Sequence, residues 1–193
     1  MREDKAALST VVTSLIILVV SVLLAGVVTM YAINITSTRT QQEDLRLSKQ
    51  AIWVCLNATD DVYVYAAFTI DNVGGRDVVI DKIQIRGVEV DWSSVAFKRL
   101  GSSVSGSLIP PNETYDESLP AGNFTYTSDG DKDDFTTANE DIPLASGDTL
   151  VVFILNPGSI TANDIGTTIG ITVYTENAQY YVETNVKTGE EAT

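Results

Sequence analysis

The chain has 193 residues, and its 26 acidic side chains against 12 basic ones give a net charge of −14. That balance argues against a nucleic-acid partner, whose phosphates need Lys and Arg. There is no His and only one Cys, so the usual hydrolytic triads, the commonest metal-binding side chain and any intrachain disulfide are all missing.

Residues 6–38 carry no charged side chain, and Met1-Arg2-Glu3-Asp4-Lys5 stands before them. A run of more than ~18 apolar residues is long enough to span a bilayer as a helix. The apolar core, Val11 to Ile33, exceeds the ~7–15 residues of a secretory signal, and no A-x-A site follows it. Small residues recur at Ala7, Ser14 and Ser21, then at Ala25 and Ala32. Such a stripe lets helix backbones approach closely where hydrophobicity cannot drive packing. A lone lipid-facing anchor has no use for it. The stretch Thr40 to Gln50 contains neither Gly nor Pro, so the helix is expected to run on to Gln50. Hydrophobic at one end and polar at the other, it suits the packed core of a filament.

At this point the chain resembles the archaeal type IV pilin and archaellin superfamily, filament subunits made with a very short charged leader. The matching residues are the leader Met1-Arg2-Glu3-Asp4-Lys5-Ala6, the start Ala7-Leu8-Ser9-Thr10, and the Val/Ile/Leu/Ala run behind it. The resemblance implies cleavage by a prepilin-type peptidase between Ala6 and Ala7, directly after Lys5-Ala6; cleavage after Ala7 is the alternative. It implies a leader over residues 1–6, a transmembrane and assembly helix over 7–50, and a head over 51–193. The membrane-inserted precursor would pass, through its assembly machinery, into a helical homo-oligomer at the cell surface. Ser14, Ser21, Ala25 and Ala32 would pack helix on helix, and the heads would face outward. Ala-Leu-Ser-Thr stands where archaellins often have Gly, and Val11 stands where many bacterial type IV pilins carry Glu. The first difference favours an adhesive pilus over a motility archaellin. From another class, the alternative is a monomeric membrane-anchored binding domain.

The remainder reads as strands. Ala51-Ile52-Trp53-Val54-Cys55-Leu56 is apolar, with Cys55 as a small buried hydrophobe. Residues 61–72 are rich in β-branched and aromatic side chains, and Val73-Gly74-Gly75-Arg76-Asp77 makes a turn. Alternation over Ile83–Arg86 resumes in the opposite phase at Val88, which predicts a β-bulge at Gly87. Further strands are predicted over 149–155, 166–174 and 179–184, the last two joined by a hairpin loop at 175–178. The fold class is therefore α+β: a long N-terminal hydrophobic helix followed by an antiparallel β-sandwich head.

The head offers few candidate sites. Asp129, Asp131, Asp133 and Glu140 match the ligand spacing of an EF-hand loop, but Asp134 replaces its turn glycine and no helices flank it. A solvated acidic loop is the preferred reading, and calcium is the cation such a loop would take. Sequons place N-glycans at Asn112 and Asn123, in turn contexts, and at Asn57, at a strand end. Asn34 has a sequon too, but it lies on the apolar helix, where a glycan would block packing. No catalytic constellation, nucleotide-binding motif or cofactor site is evident, so an enzyme is not expected.

Overall fold

The structure is a computed structural model and describes residues 3–40, 42–56, 62–111 and 122–189. The chain divides into two compact units, Met1–Gln42 and Glu43–Thr193.

The first unit is α1, Glu3–Thr40, a continuous helix of 38 residues. It is crowded with Val, Ile and Thr, which favour strands in water. In an apolar setting a helix wins, because it satisfies every backbone N–H and C=O within one segment. Ser9–Thr38 is long and apolar enough to cross a membrane, and its side chains are exposed on every side.

The helix does not continue to Gln50 as expected. Leu45–Leu56 forms strand β1 instead. Helix propensity over Leu45–Gln50 is a weak force, and tertiary pairing overrides it. Leu45 to Ser48 pair with Asn72 to Thr69, and Leu45 is buried. The head unit accordingly begins near Glu43, not at Ala51.

After β1 come β2 (Val62–Asn72), β3 (Val78–Ile85), β4 (Val88–Glu89), β5 (Val95–Leu100) and β6 (Gly122–Thr125). Then follow β7 (Lys132–Thr137), β8 (Ile142–Leu144), β9 (Thr149–Leu155), β10 (Thr168–Thr175) and β11 (Gln179–Thr188). They build one sheet in the order β4-β3-β10-β11-β1-β2-β9-β5-β7-β6, with β8 paired to β3. All pairs are antiparallel except β1 with β11, parallel through Ile52–Val54 and Val186–Thr188. The sheet is large, mostly antiparallel and curled into half a barrel.

The curl encloses the main core. Ile83 and Ile85 of β3 share one cluster with Phe68 of β2 and Val152 of β9, although β3 and β9 lie far apart in the strand order. A second cluster covers the opposite face of β1, β2 and β9. There Phe124 of β6 stacks on Phe135 of β7 at 4.5 Å, and both meet Phe153 edge-on. With both faces covered, every residue of β9 is buried.

Two local devices set this geometry. The register of β1 against β2 shifts between Ser48 and Ala51, a β-bulge with Lys49 at φ 54°. The extra residue reverses the faces. Leu45 and Leu47 point to the main core before it, and Ile52 and Val54 do so after it. The bulge expected at Gly87 is instead a two-residue hairpin turn. Ile85 pairs with Val88, and Arg86 (φ 54°) and Gly87 (φ 78°) both take the left-handed conformation that a type I′ turn demands.

Candidate assembly helix and head surface

On an ideal helix each residue turns the side chain by about 100°. Ser14, Ser21, Ala25 and Ala32 of α1 then fall within a sector of about 40°, a single seam roughly 27 Å long. That length is close to the ~30 Å of a hydrocarbon core. All four side chains are exposed.

The helix also carries hydroxyls through its apolar stretch, and six of them bond back within the helix. Ser14 donates to the Thr10 carbonyl at 3.0 Å, Ser21 to Ile17 at 2.7 Å and Thr29 to Ala25 at 2.8 Å. Thr13, Thr36 and Thr38 do the same one turn back. A hydroxyl bonded to the i−4 carbonyl can enter lipid or a helix bundle without an unmet donor. Lys5, Ala6 and Ala7, the predicted processing residues, lie in the first turns of α1. Their side chains are outside the described residues.

The chain enters the head through an acidic anchor that the sequence did not reveal. The Glu43 carboxylate accepts hydrogen bonds from the Thr175 and Tyr180 hydroxyls and the Asn177 amide. The Asp44 carbonyl accepts the backbone N–H groups of Val73 and Gly74, each at 3.0 Å. Glu43 is thus bound to the β10–β11 hairpin and Asp44 to the β2–β3 turn. Nothing local marks them, since their partners lie some 30 to 130 residues away.

Predicted head sites fare unevenly. Asn123 lies on β6 with an exposed side chain, on a strand and not in a turn. Asn57 and Asn112 lie outside the described residues. Cys55 is fully buried, as expected of a small hydrophobe.

The EF-hand spacing does not form a loop. Lys132–Thr137 is strand β7, and an extended backbone separates the carboxylates. Asp133 pairs with Lys98 at 2.6 Å, Asp131 accepts the Thr127 hydroxyl at 2.9 Å, and Asp129 accepts the Ser105 hydroxyl at 3.3 Å. Among the described residues no three His, Cys, Asp or Glu side chains gather where a metal could sit.

An open groove of about 440 Å³ lies beside Val62, Asn156 and Ile160. One of its polar side chains is already engaged, because the Asn156 side-chain oxygen accepts the Val64 N–H at 2.8 Å. Compared with known proteins, the chain matches no family model and no curated sequence.

Proposed function

We propose that this chain is the structural subunit of an archaeal cell-surface filament of the type IV pilus kind. The observation that carries the reading is α1. Its 30-residue apolar stretch is exposed on all sides, with a narrow small-residue seam along it and six of its Ser and Thr hydroxyls bonded internally. A helix apolar all round needs lipid or other helices around it. The seam favours other helices, because small side chains allow the close approach that association in lipid requires. In this reading the membrane holds the helix before assembly, and the filament core holds it afterwards. The finer form of the proposal is a sandwich-like head, its curled sheet closed over one core, facing outward to adhere to surfaces or other cells.

Substituting the seam tests this. Ser21→Leu and Ala25→Leu add apolar surface yet widen the seam. Both variants are expected to insert in the membrane at normal levels and to yield no filaments by electron microscopy. Normal filaments from both would show that the seam is not an assembly surface, whereas no filaments even from the unsubstituted chain would leave α1 as an anchor for a monomeric head.

A further inference from the structure

The outer face of β3, β10 and β11 is an exposed surface that neither the core nor the helix explains. Alternation puts Ile169, Ile171 and Val173 of β10 in the main core. Their neighbours Thr168, Gly170, Thr172 and Tyr174 therefore face outward. Register places Tyr181 beside Thr172, Glu183 beside Gly170, and Asn185 beside Thr168.

Tyr181 dominates this face. It is 63% exposed, more than any other large hydrophobic residue on the described head. It does not project into solvent. A Cβ built on Gly170 would lie 2.5–2.8 Å from the Tyr181 ring edge and hydroxyl, so the ring lies down across Gly170. Its hydroxyl donates to Glu183 at 2.7 Å, which fixes the ring along its own strand. A ring over a glycine shields the sheet backbone, but that role uses only the inner face. The outer face remains open, flat and held in place. A rigid aromatic loses little entropy on contact.

Hydrogen-bonding groups surround the ring. Asn185 accepts the Thr168 hydroxyl at 2.7 Å, and its Nδ2 has no partner among the described residues. Gln84 accepts the Tyr174 hydroxyl at 3.1 Å, and its amide nitrogen is likewise unspent. Charge is close to balanced here: Lys82 and Lys187 are set against Asp81, Glu89 and Glu183, within a chain of net charge −14. A polyanion would be repelled by so acidic a chain. A neutral partner brings no such cost.

We propose that this face binds a neutral polysaccharide, with Tyr181 as the stacking platform. A pyranose presents an apolar C–H face and a rim of hydroxyls. The C–H face suits the electron-rich face of a tyrosine ring. The rim suits the unspent amide and carboxylate groups beside it. Six residues of strand and three strands give an area of roughly 20 by 10 Å, which fits a run of sugars better than a single ring.

The face belongs to the head whether or not the chain polymerises, so its test is independent of filament assembly. The full chain, in a detergent without a sugar head group, is passed over cellulose, chitin and mannan, with heparin as the polyanionic control. Retention is expected on at least one neutral polymer and not on heparin. Tyr181→Ala should weaken it roughly tenfold or more. Tyr181→Phe keeps the ring and should retain binding. Asn185→Ala, at the rim, should lower binding about threefold and decides the matter if Tyr181→Ala fails to fold. No retention of the wild type on any neutral polymer overturns the proposal. So does undiminished retention of the folded Tyr181→Ala variant, or of Asn185→Ala if that variant must decide.

Discussion

Gly189 shows how closely single residues fix the head. A Cβ there would lie 2.1 Å from the Cys55 sulfur, and the Gly189 N–H donates to the Val54 carbonyl at 2.7 Å. Cys55 is fully buried and has nowhere to retreat. Gly189→Ala should therefore cost about 1–3 kcal/mol, as overpacking does. Adding Cys55→Ala should recover part of that loss, because the two changes share one contact. A double-mutant cycle by denaturant unfolding measures the coupling; strict additivity would contradict it. Charge acts at this scale too. The hydrogen bond from Lys98 holds the Asp133 carboxyl below the usual carboxylate range. The backbone N–H and hydroxyl of Thr161, then Arg86, hold Asp164 below it as well. A depressed carboxyl binds its proton less readily folded than unfolded. Its contribution is complete above the unfolded value, near pH 4, and is lost as pH falls through the folded one. The melting-temperature gap between wild type and Asp133→Asn should be largest at neutral pH and should close below about pH 4. It should correspond to no more than ~1 kcal/mol, since both partners are about 30% exposed. A gap independent of pH would contradict the assignment.

At the scale of elements, the bulge in β1 and the course of β7 decide what the head can be. Deleting Gln50 removes the extra residue and forces one half of β1 onto the wrong face. Either Leu45 and Leu47 or Ile52 and Val54 would then leave the core. Loss of the cooperative thermal transition is expected; a melt like the wild type's would contradict the register. Because β7 is extended, equal melting temperatures of the full chain in calcium and in chelator are expected. A rise with calcium would restore the ligand-loop reading. These two elements also mark what sequence can carry. The strands at 62–72 and 149–155, and the first part of β11 over 179–184, were legible because β-branched, aromatic or alternating residues record burial locally. The two-residue turn at Arg86-Gly87 was visible as a phase change but misread as a bulge, since both reverse the alternation. The start of β1 was missed because Leu45-Arg46-Leu47 becomes a strand only by pairing with β2. Glu43 and the Tyr181–Gly170 contact were invisible for the same reason. Aspartates at calcium-loop spacing say nothing of whether the backbone between them bends.

The whole molecule joins a helix that water cannot hold to an acidic β head that folds around its own core. Asn123 is exposed on that head. In a host that N-glycosylates, a modified peptide across Asn123 is expected by mass spectrometry, and an unmodified Asn34. Only unmodified Asn123 would end that expectation. The filament itself is tested most directly by shearing the surface of cells that express the chain. Electron microscopy and N-terminal sequencing of the main band then follow. Filaments whose main band is this chain, beginning at Ala7, are the expected result. A sheared fraction without it, and the whole of the chain monomeric in the membrane, would contradict the filament reading.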